Sequence, residues 1–520
     1  MLGVTSFSLT GLSGQETSFS TDRASVVCFV KEDCPTCRTV MPVLAAMFKT
    51  FADHIDFHVI GQTAEGNRQL AEEFELPFDL LDDSALKVSF DTDVETVPTL
   101  LVTNAKGQTE SERIGFVREE WQALVDDLIQ QFSGSECDLD WSALPEWRPG
   151  CGSLSVDPMH AGRLQAEAEG SPIRARRIEV GSLDDEFEFM FDQGFTDGLP
   201  VVPPTPERVL RMLSGTKRDA QEVVATMAPN MAKVTVEKIA INAVLAGCRP
   251  EYLPVVIAAV EAVCTDDFNI HGVMATTMGA SPVMVVNGPI RHSLDMNMGL
   301  GALGQGNRAN ATIGRALRLA IRNVGGAKPG GTERSTFSNP MKYTMCFAEW
   351  EERSNWDPLH VERGFSPEDS VVTVFAMTGG PTIIMDEDSL GGDALAGSIG
   401  ASTSTMLNAK AYGFSTCLMV VSPEHVDTFK RDDYSKAQMR RRMQVASEKT
   451  VDELIELGVT DEQQARLSKL EPDTRLSKFG SDEDIDIVVA GSEAGKCTAF
   501  FHGWIPRSIG SIPVSSKIEV

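Results

Sequence analysis

Apolar residues in the first quarter of the chain fall into short continuous runs separated by runs with helical spacing. Residues 25–31 (Ser-Val-Val-Cys-Phe-Val-Lys) and 55–61 (Ile-Asp-Phe-His-Val-Ile-Gly) read as strands, and between them Val40, Leu44 and Met47 recur on one helix face. That is a βαβ unit. A helix near 64–75, a strand over Thr99–Thr103, a turn at Asn104-Ala105-Lys106-Gly107 and a helix over 118–132 complete a compact α/β module. From Phe132 to Gly170 no periodicity is sustained, so this stretch reads as a linker. Beyond it, strands are predicted at 282–287, 371–377, 382–385, 415–421 and 485–490. Helices are predicted at 206–214, 236–246, 251–264, 311–324, 398–411 and 434–457. Thr205 before Pro206, Thr235 before Val236, and Gly247, Gly325 or Gly413 after a last turn supply caps. The reading is therefore α/β throughout: a domain over 1–132, a linker over 133–170 and a larger α/β or α+β domain over 171–520. Gly279-Ala280-Ser281-Pro282 and Thr378-Gly379-Gly380-Pro381 enter apolar runs with a shared Gly-x-Pro rhythm, which suggests an internal duplication.

Composition narrows the function. The chain has 520 residues, enough for three or four domains at roughly 150 residues each, so core size is not limiting. Its net charge of −29 repels phosphate backbones and anionic lipid, which argues against nucleic acid and membrane as partners. No apolar run reaches the ~20 residues of a membrane span, and Met1 to Ser20 lacks the layout of a signal peptide, so a soluble, cytoplasmic protein is expected. In a reducing compartment, the one close pair among the ten cysteines reads as redox-catalytic or metal-binding.

That pair is Cys34-Pro35-Thr36-Cys37, after a predicted strand and at the start of a predicted helix. A thiol at a helix N-terminus faces unpaired N–H groups and the positive end of the helix dipole, so its thiolate is favoured. Cys34 is expected to attack, and Cys37, one turn on, to resolve the mixed disulfide. These residues, with Val97-Pro98-Thr99 and the Lys106-Gly107 hairpin, resemble the thioredoxin fold over roughly 1–132. The resemblance implies a cis Pro98 beside the cysteines and a Val97 backbone offered to an extended substrate. Asp33 stands where that family usually has Trp, and Cys28 where it has a buried acid. Glu32 and Asp33 are expected to raise the thiolate pKa. A thioredoxin fold kept for docking, or half a zinc site, is the alternative.

Other motifs are weaker. Pro149-Gly150-Cys151-Gly152-Ser153 leaves a cysteine between two glycines, where a tethered dithiol can reach it, or where it is an ordinary linker residue. Asp197 lies in the rigid turn Asp197-Gly198-Leu199-Pro200-Val201. Gly299-Leu300-Gly301-Ala302-Leu303-Gly304 lacks the preceding strand and following acid of a dinucleotide site. Asn307 and Arg308 open the next helix, which carries Arg315, Arg318 and Arg322. They are candidates to bind a carboxylate, against the alternative that this arginine face pairs with the protein's own acids. Gly491–Cys497 falls one residue short of a phosphate-binding loop, leaving at most a small anion nest with Lys496. His271, His292, Cys264 and Cys346 are candidates to converge as a Cys/His nucleophilic pair, on which their separation in sequence is silent, against the alternative of histidines that merely satisfy hydrogen bonds; no metal or cofactor is implied. Cys151-Gly152-Ser153, the Asp197 turn and the Gly491–Cys497 segment together resemble the bacterial (seleno)protein family named for a U-G-S-C motif, although Leu154 replaces its last cysteine. That resemblance implies a thiol-dependent redox or lyase domain over about 150–520, with Cys151 as the reactive position.

The combined expectation is a thiol-disulfide oxidoreductase module fused to a thiol-dependent redox or lyase domain acting on a small, anionic substrate. Cys34, Cys37 and Cys151 would be catalytic, and Val97, Pro98, Asp197, Asn307 and Arg308 would bind substrate. An external thiol reductant would recharge the pair, and a homo-oligomer is left open. The alternative is a hydrolase or lyase centred near Arg308, with the thioredoxin-like module serving repair or docking.

Overall fold

The computed structural model describes residues 2–19, 21–133, 137–178, 180–181, 185–506 and 509–519, with backbone alone at 133, 158 and 159. The chain divides into two compact units, Met1–Glu179 and Val180–Val520. Among the described residues no helix is long and apolar enough to cross a membrane.

In the first unit, five strands form one sheet in the order Leu80–Asp82, Asp56–Gly61, Ser25–Val30, Thr99–Thr103, Thr109–Ile114. The first three run parallel and the last two antiparallel. Ser25–Val30 is central and buried at every position, which is why it reads as an unbroken apolar run rather than an alternation. The helix Pro35–Phe51 lays Val40, Leu44 and Met47 on the sheet, as their spacing predicts. Ala64–Phe74 and Arg118–Leu128 complete the layers, the latter continuing as a single wider turn over Ile129–Ser133.

The expected linker is, where described, part of this unit. Trp147–Arg148 pairs antiparallel with Phe116–Val117, and Cys151–Gly152 pairs antiparallel with Thr96–Val97. Pro158–Ala168 forms a helix. Strands of two residues leave no periodic trace in a sequence, so only tertiary pairing reveals them. Residues 134–136 of that stretch lie outside the described residues.

The second unit is built on a seven-stranded mixed sheet in the order Cys346–Ala348, Ser281–Asn287, Val371–Met385, Cys497–Gly503, Cys417–Val421, Ile485–Val489, with Val514–Lys517 on the first part of the long strand. The expected strands 371–377 and 382–385 are one strand of 15 residues. Its first half pairs with Ser281–Asn287 and its second with Cys497–Gly503, and the register shifts between Met377 and Thr382. Gly380 makes that bend feasible: its φ is +118°, and a Cβ there would meet Phe500 O at 2.8 Å and Phe501 Cα at 2.9 Å. The two Gly-x-Pro segments that suggested a duplication are thus inequivalent, one opening a strand and the other bending the middle of its neighbour.

Thr205 and Thr235 cap helices Pro206–Leu213 and Val236–Ala246, and Gly247 ends the latter in a left-handed conformation. The expected helix 398–411 is Gly392–Thr403. The expected helix 434–457 is broken into Lys436–Ala446 and Val451–Glu456, because Thr450 and Glu453 form a capping box that starts a new helix.

Candidate active site of the first unit

Strand Ser25–Val30 leads directly to Cys34, which takes extended backbone geometry as the N-cap of helix Pro35–Phe51, with Pro35 at the first helical position. The Cys37 N–H donates to Cys34 Sγ at 3.3 Å, and the Lys31 N–H donates to Cys37 Sγ at 3.3 Å. Both cysteines are 0 % exposed. The hydrogen bond between Cys34 and Cys37 is the main influence holding the Cys34 thiol down, from the ordinary 9.0 to about 5; burial works against it, while Cys151 and the N–H groups of Cys37 and Thr36 add to the lowering. Burial and the neighbouring Cys34 charge push Cys37 far upward. These opposed shifts favour the charged form at Cys34 and the neutral thiol at Cys37.

The Cys34 thiol is lowered overall, whereas Glu32 and Asp33 were expected to raise it. Donors of the first helical turn lie against the sulfur, whereas the Asp33 carboxylate is tied to Lys31 Nζ at 3.2 Å. Cys28, at the position of the buried acid in the resembled family, is fully buried in the central strand, and burial raises its thiol. It supplies no carboxylate.

Val97-Pro98 is a cis peptide, as the resemblance implies, and Val97 O lies 3.4 Å from Cys34 Sγ. The backbone of Val97 is already engaged by the chain itself. Cys151 pairs with it in an antiparallel bridge, and the Ser153 N–H donates to Glu95 O at 2.9 Å. Thr36 Oγ1 donates to Pro149 O at 2.5 Å, Lys31 Nζ to Gly152 O at 3.2 Å, and Gln62 Nε2 to Ser153 Oγ at 2.6 Å. The segment 149–153 is therefore a strap lying where an extended substrate is expected. Gly150 lets it approach: a Cβ there would meet Thr96 Cγ2 at 2.2 Å and Val97 O at 2.9 Å. Cys151, half-buried, has its thiol pushed up to about 11 by burial first and then by the hydrogen bond and charge of Cys34. Cys34, Cys37, Cys151, Val97 and Pro98 thus form one constellation inside the first unit, with no tether needed to join them.

The remaining candidates belong to the second unit. Asp197 holds Arg315 through two hydrogen bonds of 2.9 and 2.8 Å, and Arg315 also donates to Leu199 O and Pro200 O, so this pair pins the proline-rich turn. Arg318 lies 3.8 Å from Glu333, and Arg322 donates to Thr196 O. Asn307 caps helix Arg308–Asn323 by accepting from the Asn310 N–H, and donates to Asp295 O. Of that helix's arginines, Arg308 lines a cavity, donating from Nε to Gly247 O at 2.9 Å. In the Gly491–Cys497 loop the Gly495 N–H donates to the Glu424 carboxylate and Lys496 Nζ to Glu387 O, so this nest already holds an acid of the protein. His292 bonds Glu352 at 2.8 Å, while Cys346 is buried with its thiol raised. Among the described residues, no group of three or more His, Cys, Asp or Glu side chains is arranged to hold a metal. Sequence reasoning missed Arg208, Arg211 and Arg249, which share the Arg308 cavity. The only trace was two arginines three apart on a short helix.

Residues 3–111 match the AhpC/TSA family. Comparison with curated proteins gives no match. Among solved structures, the chain is similar to a putative thiol:disulfide interchange protein DsbE from Chlorobium tepidum (18 % identity, 25 % of this chain and 96 % of that one, TM-score 0.23). It is also similar to StoA from Bacillus subtilis (21 % identity, 24 % and 99 % covered, TM-score 0.21). A third is a secreted Mycobacterium tuberculosis disulfide oxidoreductase homologous to E. coli DsbE (20 % identity, 24 % and 96 % covered, TM-score 0.22). The first unit is a thioredoxin-like fold joined to a larger α/β unit that the family match does not reach.

Proposed function

We propose that the first unit is a thiol-disulfide oxidoreductase in which Cys34 attacks, Cys37 resolves, and the first disulfide partner of Cys34 is the chain's own Cys151. The observation that carries this reading is the strap: Cys151 lies against Val97 and hydrogen-bonds Cys34, while Cys34 and Cys37 are covered and Cys151 is the more open sulfur.

In the cycle, a small disulfide exchanges with the Cys151 thiol; one half stays on Cys151 and the other leaves as a thiol carrying the Cys151 proton. The Cys34 thiolate attacks Sγ of Cys151, forming the Cys34–Cys151 bond and expelling the retained half as a thiolate. Cys37 then attacks Sγ of Cys34, the Cys34–Cys37 bond forms, and the Cys37 proton passes to the released Cys151. The small disulfide is reduced by two electrons and the cysteine pair oxidised by two. An external dithiol restores the pair, a requirement that a reducing cytoplasmic setting meets.

Mass spectrometry of the oxidised, alkylated protein tests it. A trapped Cys34–Cys151 disulfide is expected in Cys37→Ser. The reading fails if Cys34 never pairs with Cys151 and Cys151→Ser reduces small disulfides at the wild-type rate.

A further inference from the structure

The second unit contains a cavity of about 290 Å³ lined by Arg208, Arg211, Arg249 and Arg308, with Val202, Met212 and Val244 as apolar wall. Four arginines line this one small space, and like charges so gathered repel one another unless carboxylates relieve them. Here the supply is large: the chain has 75 Asp and Glu against 46 Lys and Arg. Other arginines use it, Arg218 with Glu222 and Glu261, Arg315 with Asp197, Arg353 with Asp427 and Glu493, and Arg363 with Asp486. Among the described residues, none of the four cavity arginines makes an ion pair with a carboxylate. Their sequence neighbours Glu207 and Glu251 do not line the cavity.

The local scaffold holds two of these cations in place. Arg208 donates to Pro203 O at 2.8 Å, in the segment that the Asp197–Arg315 pair anchors, and Arg308 donates to Gly247 O. Each spends one donor on the backbone and keeps the rest of its fork. Cys248, at the cavity wall, donates its thiol to Thr312 O and is pushed up to about 12 by burial, so the cavity offers charge and not sulfur chemistry.

We infer that this cavity binds a small, multiply charged oxyanion through the guanidinium forks of Arg208, Arg211, Arg249 and Arg308. Arginine forks match the two oxygens of a carboxylate or phosphate group, and a space near the lower end of the ~300–1,000 Å³ range of ligand pockets suits a di- or tricarboxylate or a pyrophosphate group, not a dinucleotide. The site is independent of the thiol cycle.

Isothermal titration of the full chain with citrate and, separately, with pyrophosphate, at ionic strength matched with chloride, tests the inference and tells carboxylate from phosphate recognition. One-site binding of at least one probe is expected, weakened about tenfold or more in Arg211→Gln and in Arg249→Gln, and lost in the double variant. Arg211→Lys, which keeps the charge but not the fork, is expected to fall between. Equal binding by wild type and the double variant overturns the site. So does a wild-type chain that neither binds these probes nor melts at a higher temperature with them than with chloride. That last measurement decides the matter if the double variant does not fold.

Discussion

Cysteine is distributed alike over the two units, but its chemistry is not. In the first unit one thiol, Cys34, is held near pH 5 because a helix terminus and two neighbouring cysteines supply donors to its thiolate. In the second, Cys248 and Cys264 are pushed up to about 12, and Cys346 and Cys417 are also raised, each by burial before any other cause. Burial acts on both, raising Cys34 as well as Cys346, although the Cys346 sulfur lies the deeper. What separates them is whether polar hydrogens converge on the sulfur, since desolvation without donors always favours the neutral thiol. The second unit instead converges cations on a cavity. On the two proposals made above, the molecule divides its chemistry into electron exchange in one unit and charge recognition in the other.

The largest test of that contrast is removal of the thiolate. Cys34→Ser is expected to reduce turnover of a small disulfide by about a thousandfold or more, whereas Cys417→Ser changes it less than about twofold. A comparable loss in Cys417→Ser would erase the distinction between the units.

Cys151→Ser comes next. It replaces a sulfur donor beside the thiolate and removes the first disulfide partner, so turnover is expected to fall about a hundredfold in line with the proposed cycle. In Cys151→Ala, which removes the side-chain donor altogether, the Cys34 midpoint is expected to rise, because losing a donor to the charged form disfavours that form. The ultraviolet absorbance of the thiolate, measured across pH as wild type minus Cys34→Ser, reads this directly. The sign for stability follows: a lowered thiol pKa adds stability that is fully present above the ordinary thiol value and is lost as pH falls through about 5.

Gly150→Ala is a gentler perturbation of the same site. Its new methyl group would press on Thr96 and on the Val97 carbonyl, lifting the strap, and alkylation of Cys34 by iodoacetamide is expected to quicken about tenfold. An unchanged rate would mean the strap does not restrict access. The smallest effect concerns His58, buried between Phe7 and Phe19, whose pKa burial lowers. A histidine kept neutral in the fold supports stability above its ordinary pKa and loses that contribution as pH falls below it. His58→Leu is expected to flatten the acid limb of the first unit's urea stability between pH 7 and 5.

Much of the first unit was legible before any coordinates. A buried central strand must be apolar at every position, an amphipathic helix must repeat its apolar face, and a thiol between the two must sit at a helix N-terminus; Ser25–Val30, Pro35–Phe51 and Cys34 follow from such local rules. In the second unit the same rules located most strands and capped helices. They failed where the decision was not local, as in the bent strand Val371–Met385, which reads as two strands because a Gly-Gly-Pro interrupts the pattern without ending the pairing.

The site candidates divide along that line. Local spacing identified Cys34 and Cys37, and the resemblance it supported brought in Val97 and Pro98. Asp197 and Asn307 were noticed for their types, but the fold spends them on a salt bridge and a helix cap. For Asp197, whether the side chain is free or paired depends on a partner more than a hundred residues away, Arg315. The place of Cys151 against Val97, and the meeting of Arg208, Arg211, Arg249 and Arg308 around one cavity, were likewise settled only by tertiary structure. The sequence alone determines what lies within a few turns of backbone, because hydrogen bonding and side-chain periodicity act at that range. Which distant groups meet, and which charges are left unpaired, is decided by how the elements pack.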